Sequence, residues 1–371
     1  MRVLLHSKVF YPSVGGFERV SETLAEILHT RGIDVQILTD TPLSGAPEVG
    51  PYPVIRGSSS TEKRKLVHEA DIVHVRGFCL ELLFPSLLYR KPIVWTHSGH
   101  QASCLTGNGF HEGRLCNHRW HRCLPLTYRQ YGARRTITRA ARLLLGRLAL
   151  HLANRNVCAS KWVAQHIWAV RSSVIWNPVR VGSFNPLATP KYPGRFTYVG
   201  RLVTEKGVDV LLRALSVCHE RGKSYGLDVY GDGPERDNLE QLALRFRLSG
   251  KVMFHGTVRN EKLAQAVNQA WVVVVPTACE EAMGIVAVEA MAAGKPLIVS
   301  RKGGLTEISE GCSLTFENGD HRELADRMIF LAENEDLRVS LAQHGPERAR
   351  LFAPERIINN YLAIYREILK R

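Results

Sequence analysis

The stretch EEAMGIVAVEAMAAGKPLIVSRKGG, from Glu280 to Gly304, places a helical pattern that opens at Gly284 directly before an apolar strand. Similar alternation of short β-branched runs with helical patterns extends along the whole chain, which predicts parallel sheets flanked by helices. The predicted strands are Val3–His6, Val35–Leu38, Ile72–Val75, Ile93–Thr96, Val157–Ala159, Phe196–Val199, Leu227–Tyr230, Val252–His255, Val272–Val275 and Leu297–Val299.

Two carboxylates, Glu281 and Glu289, flank the predicted start of the helix in this stretch. A carboxylate accepts two hydrogen bonds side by side, which suits the vicinal hydroxyls of a ribose or hexose. The free amides of Met283, Gly284 and Ile285 at the helix start suit a phosphate, because helix amino ends carry partial positive charge. The alternative is an ordinary amphipathic helix with two solvated glutamates.

A chain of 371 residues is longer than one hydrophobic core usually fills, so two domains are expected. The proline-rich segment from Val174 to Pro193 lacks periodicity and is interpreted as the linker. We therefore predict a first domain over residues 1–180 and a second domain over residues 190–354. The composition, 45% hydrophobic and 23% charged, is typical of a soluble globular protein.

The chain carries a formal charge of +14, which is compatible with nucleic acid, an anionic membrane surface or an anionic substrate. Much of this charge lies between Arg114 and Arg147, where RTITRAARLLLGRLALHL has a basic amphipathic pattern. Two alternatives stay open here: peripheral contact with the inner face of the plasma membrane, or a domain helix with its arginines in water. The apolar run after Met1 is too short for a secretory signal, and the eight scattered cysteines then favour reduced thiols and a cytoplasmic location.

Several motifs occur in a characteristic order: SVGGFER, PIVWTHSGH, VGRLVTEKG, VYGDGPE and PTACEEAMGIVAVEAMAAGKPLIVS followed by KGGLTE. Together they resemble the retaining family 4 glycosyltransferases, over nearly the whole chain. The resemblance implies the GT-B fold, which consists of two doubly wound Rossmann-like domains with an interdomain cleft. It also implies that the first domain lies on the acceptor side, that the second domain binds the nucleotide sugar, and that the C-terminal helix, residues 355–371, crosses back and packs on the first domain.

The same resemblance implies roles for individual residues. The catalytic group consists of His97 at the donor sugar, Glu281 at the sugar hydroxyls, and the cations Arg201 and Lys206 on the diphosphate. Gly15 and Gly16 are expected near the donor phosphates, Val258 at the base and Glu289 at the ribose. Ser98 and His100 are candidate acceptor contacts.

No Asp-x-Asp pair occurs in the chain, so fixed cations are expected to replace a divalent ion on the diphosphate. We therefore expect no metal and no cofactor, with a nucleoside-diphosphate sugar as co-substrate. An alternative zinc cluster is formed by Cys104, Cys116, Cys123 and His118, although their spacings fit no standard zinc finger and free thiols are the simpler interpretation.

These features together predict a retaining, metal-independent glycosyltransferase that moves a sugar from a UDP- or GDP-linked donor to a hydroxyl acceptor. The acceptor is not specified by the residues. A nucleotide-sugar epimerase of the same fold is one alternative. A basic nucleic-acid-binding protein is the other, for which the net charge is the only support, so nucleic acid is not an expected partner.

Overall fold

The chain divides into two compact units in a computed structural model. Unit 1 comprises Met1–Gly109, Cys116–Val179 and Ala353–Arg371, and unit 2 comprises Phe110–Leu115 and Arg180–Phe352. The structure describes residues 1–370 except 14, 44–49, 78, 101, 108, 112–113, 116–119 and 259, and it leaves out the side chains of residues 114 and 260.

Unit 1 is built on a seven-stranded parallel sheet with the strand order β3-β2-β1-β4-β5-β8-β9. A separate two-stranded antiparallel hairpin, β6 and β7, belongs to unit 2. In chain order these strands are β1 (Arg2–Ser7), β2 (Asp34–Thr39), β3 (Val54–Arg56), β4 (Ile72–Arg76), β5 (Ile93–His97), β6 (Phe110–His111), β7 (Arg114–Leu115), β8 (Arg155–Cys158) and β9 (Ser172–Val174).

The helices between these strands cover both faces of the sheet. They are α1 (Gly16–Thr30), α2 (Ser60–Glu69), α3 (Leu80–Leu88), α4 (Trp120–Leu152) and α5 (Lys161–Ile167). Because parallel crossovers are right-handed, α1, which leads from β1 to β2, lies on one face, and the helices after β3, β4, β5 and β8 lie on the other. Gly132, with φ 76°, divides α4 into two helical segments.

Unit 2 repeats this architecture with six parallel strands in the order β12-β11-β10-β13-β14-β15. The strands are β10 (Arg195–Val199), β11 (Gly226–Tyr230), β12 (Val252–Gly256), β13 (Val272–Val275), β14 (Leu297–Ser300) and β15 (Ser313–Phe316). The helices are α6 (Val208–Glu220), α7 (Arg236–Arg245), α8 (Asn260–Asn268), α9 (Ile285–Ala292), α10 (Leu305–Ile308), α11 (His321–Glu333) and α12 (Glu335–Arg350).

The predicted fold class, two doubly wound α/β units, is confirmed. Each of the ten predicted strands overlaps a strand of the structure, although β8 begins two residues before Val157. The sequence pattern missed β3 and β9, which are the edge strands of the first sheet and are partly exposed, so they lack a continuous apolar run. It also missed β15, one of the two edge strands of the second sheet, and the short hairpin.

The final helix, α13 (Pro354–Leu369), packs on unit 1 rather than on unit 2, as the resemblance implies. Its apolar face joins the core formed by β1, β2 and α1, and the contributing side chains are Ile357, Ile358, Tyr361, Leu362, Ile364, Tyr365 and Ile368. Two tyrosine hydroxyls on this face reach polar groups of the sheet. The Tyr365 hydroxyl forms a hydrogen bond of 2.6 Å with Nδ1 of buried His74, and the Tyr361 hydroxyl lies 3.4 Å from the Thr96 hydroxyl.

Removing the Tyr365 hydroxyl will destabilise the docked helix. Tyr365→Phe leaves Nδ1 of fully buried His74 without its partner, which we expect to cost roughly 1–3 kcal/mol of the free energy of unfolding. Chemical denaturation will measure this, with Tyr128→Phe, at an exposed position in unit 1, as the control. Equal stability of the two variants would contradict the role of this bond.

Among the residues that the structure describes, no helix is both long enough and apolar enough to cross a bilayer.

Candidate functional site

The strand order of unit 2 reverses between β10 and β13, which are adjacent in the centre of its sheet. At such a switch point the loops after the two strands diverge, and open α/β sheets bind ligands in the resulting crevice at the carboxyl ends of the strands. The first loop here runs from Gly200 to Gly207 and contains a 3₁₀ turn at Thr204–Lys206. The second runs from Pro276 to Gly284.

These two loops are fastened to each other by hydrogen bonds to one carbonyl. The oxygen of Glu205 accepts from the Thr277 hydroxyl at 2.9 Å, from the amide of Ala278 at 3.0 Å and from the amide of Cys279 at 3.2 Å. The turn that presents Lys206 is therefore held against the loop that leads to Glu281.

Lys206 and Glu281, two of the residues expected in the catalytic group, form an ion pair at this switch point. The Lys206 ammonium donates to Oε2 of Glu281. Both side chains stay partly exposed, at 32% and 21%, so a ligand can reach them. Burial by itself lowers the pKa of Lys206, but attraction by the Glu281 carboxylate outweighs it and the pKa is raised. The lysine is therefore fully protonated at neutral pH.

The position of Lys206 depends on the residue that follows it. Gly207 has φ 68°, and a Cβ there would overlap the carbonyl oxygen of Pro276. Gly207→Ala is thus expected to displace Lys206 from Glu281 and to weaken donor binding at least tenfold. Gly222→Ala is the matched control, since Gly222 has a similar φ of 77° and open space around its Cβ position. Isothermal titration will compare them, and equal loss in both variants would show that backbone strain alone is responsible.

Helix α9 begins at Ile285, in agreement with the helix start expected at Gly284. Gly284 has φ 84°, and a Cβ there would overlap the side chain of Leu305. The neighbouring loop is fixed by the amide of Gly304, which donates to the carbonyl of Glu281 at 2.6 Å. Helix α9 therefore begins four residues after Glu281, and the backbone between them is tied to the loop at Gly304.

The remaining residues expected on the donor side differ in exposure. Met283 and Glu289 are buried, and Ile285 and Val258 are half-buried. The Arg201 side chain is exposed, while its carbonyl accepts a hydrogen bond from the Tyr198 hydroxyl at 2.9 Å. The ligand contacts assigned to these residues stay predictions.

Unit 1 has its own switch point, between β1 and β4. Gly15 is the N-cap of α1 and has an extended backbone, and Gly16 is the first residue of that helix. Arg76, the last residue of β4, is fully buried at this switch point and was not predicted from the sequence. Its Nη1 donates to the Ser21 hydroxyl at 2.7 Å, whereas Nε and Nη2 have no hydrogen-bond partner among the described residues. The sequence did carry a signal for Arg76, namely an arginine at the end of an otherwise mostly apolar strand.

His97 is the last residue of β5 and is buried beside Trp95. Its Nε2 lies 2.9 Å from Oδ1 of Asn156, whose amide nitrogen donates to the carbonyls of Leu150 and Val170. Because that amide nitrogen is a donor, Oδ1 must be the acceptor and Nε2 of His97 carries the proton. Burial lowers the pKa of His97 to about 4, so the ring is neutral and Nδ1 presents a lone pair.

The other candidates after β5 are only partly described. Ser98 has a buried hydroxyl without a hydrogen-bond partner among the described residues, and His100 is fully buried. Cys104 and Cys123 pack into one apolar cluster. In the part of the chain that the structure describes, no three side chains are grouped to hold a metal ion. The other zinc candidates, Cys116 and His118, lie outside that part.

Part of unit 2 matches a known family model. Residues 183–348 match the family model of the glycosyl transferases group 1. D-inositol 3-phosphate glycosyltransferase of Nocardioides sp. is 33% identical over 223 residues, which are 53% of this chain and 48% of that protein. Lipopolysaccharide core biosynthesis glycosyltransferase LpsD of Rhizobium meliloti is 32% identical over 55% of this chain and 60% of its own length. The chain spans about half the length of the curated relatives it matches.

Solved structures extend the likeness to the whole fold. HepE from Anabaena, in complex with UDP, has a TM-score of 0.74 and 17% identity, over 99% of this chain and 100% of that chain. Sucrose-phosphate synthase from Thermosynechococcus elongatus has a TM-score of 0.73 and 22% identity, over 100% of this chain and 99% of that chain. The two sheets therefore match those of GT-B glycosyltransferase structures, and the Lys206–Glu281 pair lies within residues 183–348, which match the model of the glycosyl transferases group 1.

Proposed function

We propose that this protein is a retaining, metal-independent glycosyltransferase that uses a nucleoside-diphosphate sugar as donor and a hydroxyl group as acceptor. The observation that supports this most directly is the Lys206–Glu281 pair at the switch point of unit 2, next to the amino end of α9. One cation, one carboxylate and a helix amino end are what a diphosphate joined to a sugar requires. The family match favours transfer over epimerisation and over nucleic-acid binding.

Donor binding would exchange the partners of this ion pair. The Lys206 ammonium would turn to the diphosphate, together with Arg201, and the freed Glu281 carboxylate would accept hydrogen bonds from sugar hydroxyls. The charge on the diphosphate grows as the glycosidic bond breaks, so a fixed cation stabilises the transition state more than the ground state.

His97 would act as a hydrogen-bond acceptor rather than as a base. Its Nε2 proton is committed to Asn156, so its Nδ1 lone pair is oriented to accept from a sugar hydroxyl. With its pKa lowered to about 4 by burial, His97 takes up a proton poorly at neutral pH. The role proposed for His97 is therefore to position the sugar.

Retention of configuration is proposed to follow a front-face route. The acceptor oxygen forms a bond to the anomeric carbon while the bond to the donor phosphate oxygen breaks on the same face. The acceptor proton passes to an oxygen of the departing diphosphate, so no protein base is needed. Retention by a hydrolase-type double displacement would instead require a carboxylate nucleophile at the anomeric carbon.

A donor screen followed by a product assay tests this proposal. UDP- and GDP-linked sugars are first screened by thermal shift, and the best ligand is incubated with pools of hydroxyl acceptors. Proton NMR of the product gives the anomeric configuration. Thermal stabilisation by a nucleotide sugar with a retained product is the expected result; an inverted product or absence of any nucleotide-sugar binding would overturn the proposal.

Chelation will leave turnover essentially unchanged. Cationic side chains and helix amides are proposed to perform the charge neutralisation that a divalent ion otherwise supplies. Initial rates will be measured with and without roughly 5 to 10 mM EDTA, an excess over trace metal. The two sets of rates are expected to agree within about twofold. Loss of turnover that magnesium or manganese restores would contradict metal independence.

A further inference from the structure

The sheet of unit 2 has an apolar face and a polar face along β10, β11 and β12. On the apolar face the side chains join the core, and they are Phe196, Tyr198, Leu227, Val229, Val252 and Phe254. The side chains that alternate with them point to the opposite face, and they are Arg195, Thr197, Asp228, Tyr230, Met253 and His255. Both faces of a doubly wound parallel sheet are usually apolar, so this polar face requires a specific explanation.

Asp228 is the centre of a hydrogen-bonded network on the polar face. Its carboxylate accepts from Nε and Nη2 of Arg195 at 2.8 and 3.1 Å, and from Nε2 of His255 at 2.8 Å. Burial by itself raises the pKa of Asp228, but the bonds from Arg195 and His255 outweigh it and the pKa is lowered. The charge of Arg195 balances the charge of this carboxylate, so the network carries no net charge when the imidazole is neutral.

Aromatic rings accompany this network. The rings of His255 and Tyr230 are stacked, with 4.3 Å between their centroids and 9° between their planes. Tyr192, which precedes β10, is 53% exposed. The amide of Lys191 donates to the carbonyl of Gln269 at 3.0 Å, so the segment that carries Tyr192 is fastened beside the end of α8. Its ring is therefore held in place and open to solvent.

A small, mostly polar cavity lies between α8 and the sheet. Its lining includes Tyr192, Arg195, Thr197, Asp228, Tyr230 and Gln269. The volume of about 20 Å³ has room for roughly one water molecule, and hence for one hydroxyl group of a larger ligand. Arg195 is the first residue of β10, so the cavity reaches the amino ends of the strands, whereas Lys206 and Glu281 follow their carboxyl ends. The cavity is thus separate from the candidate donor site.

We propose that this polar face, the β11 face, is a second binding site and that its ligand is a neutral saccharide. The β11 face consists of Tyr192, Arg195, Asp228, Tyr230, His255 and Gln269. A pyranose has an apolar C–H face, which packs on aromatic rings such as those of Tyr192 and Tyr230. Its hydroxyls both donate and accept hydrogen bonds, which suits the Gln269 amide and the Asp228 carboxylate. One hydroxyl would enter the cavity.

The charges of the β11 face select against other ligand classes. Asp228 already accepts three hydrogen bonds, and a carboxylate has about four acceptor sites, so one site is left for a hydroxyl donor. A phosphate would have to compete with Asp228 for Arg195 and His255. A basic peptide would meet the Arg195 guanidinium. Charge complementarity therefore favours an uncharged ligand that is rich in hydroxyls.

This inference goes beyond the proposed function, since it concerns binding and needs no transfer reaction. In a glycosyltransferase, such a site would raise the effective concentration of a saccharide acceptor. Saccharide binding and nucleotide-sugar binding can be measured separately on the same preparation. Failure of the one is therefore distinguishable from failure of the other.

Saturation-transfer difference NMR will test the β11 face. The probes are methyl α-glucopyranoside, methyl α-mannopyranoside, N-acetylglucosamine and maltohexaose, each titrated against the full chain with and without saturating UDP or GDP. We expect a saturable signal from at least one probe, and we expect that neither nucleotide changes its dissociation constant. The signal should be strongest for protons of the C–H face, because that face would lie on the tyrosine rings.

Two surface variants locate the binding. Tyr192→Ala and Gln269→Ala should each weaken saccharide binding about tenfold, because they remove the exposed ring and one polar partner. Tyr128→Ala, which removes a similarly exposed tyrosine of unit 1, is the control and should bind as the wild type. Thermal shift with nucleotide sugars should be the same in Tyr192→Ala and the wild type, and urea unfolding will confirm that the variants are folded.

Three results would overturn the inference. The first is the absence of a saturable signal from every probe. The second is equal affinity in Tyr192→Ala, Gln269→Ala and Tyr128→Ala, which would place the saccharide elsewhere. The third is displacement of the saccharide by inorganic phosphate, because the β11 face would then be an anion site.

Discussion

Lys206→Ala is expected to reduce turnover by about a hundredfold to a thousandfold, the usual cost of removing one fixed donor to a developing negative charge. The ammonium is one of two cations that the loop Gly200–Gly207 supplies at the switch point of unit 2, and its turn is held in place by the hydrogen bonds between the two loops. The Km for the donor should rise less than kcat falls, because charge accumulates on the diphosphate mainly in the transition state.

Stability should change far less than turnover in this variant. Lys206 and Glu281 are both partly exposed, and such pairs contribute only about 0.2–1 kcal/mol. Lys223→Ala is the matched control, since Lys223 pairs with Glu333 on the surface of the same unit. Normal kcat in Lys206→Ala, or an equal fall in Lys223→Ala, would refute the assignment of the catalytic cation.

Unit 1 will lose stability as the pH falls below about 6.5, the ordinary pKa of histidine. Burial lowers the pKa of His6 to about 4, of His74 to about 3 and of His97 to about 4. Between pH 6.5 and these values the unfolded chain binds protons that the folded unit does not, so the free energy of unfolding decreases with decreasing pH. Between pH 7 and pH 5 each buried histidine should cost roughly 2 kcal/mol.

Urea unfolding at pH 7 and pH 5 will measure this effect. His6→Leu removes one titrating group from the core with little hydrogen bonding to lose, because its buried Nδ1 has no partner among the described residues. The difference in unfolding free energy between the two pH values should shrink by about one histidine's share. His344→Gln, at an exposed position, is the control and should leave that difference unchanged. An unchanged pH dependence in His6→Leu would show that His6 is not buried as a neutral ring.

Much of the fold could be predicted from the sequence because central strands of a doubly wound sheet are buried on both sides. Val3–His6 and Val272–Val275 are apolar for that reason, whereas the edge strand β3 has no such run. Within the candidate site, the resemblance of the motifs predicted that Lys206 and Glu281 contact the same donor. It could not predict that they form an ion pair, since that depends on three hydrogen bonds to the carbonyl of Glu205.

Two other features could not be predicted from the sequence pattern, for a different reason. Helical periodicity separates Arg135 from Leu144 around α4, but it does not show which part of the helix surface is buried; in the structure both residues are exposed. Arg76 was missed because its burial depends on α1 and α13, which close over β4 from distant parts of the chain.

The docking of α13 beside β1 has a consequence for synthesis on the ribosome. The core of unit 1 needs Ile358 and Tyr365, which emerge only after the whole of unit 2 has been translated. Until then, the β1–α1 side of the first sheet exposes the groove that α13 later fills. Unit 2 can therefore complete its core before unit 1 does. A chaperone that binds the unfilled groove of unit 1 should be released when α13 leaves the exit tunnel.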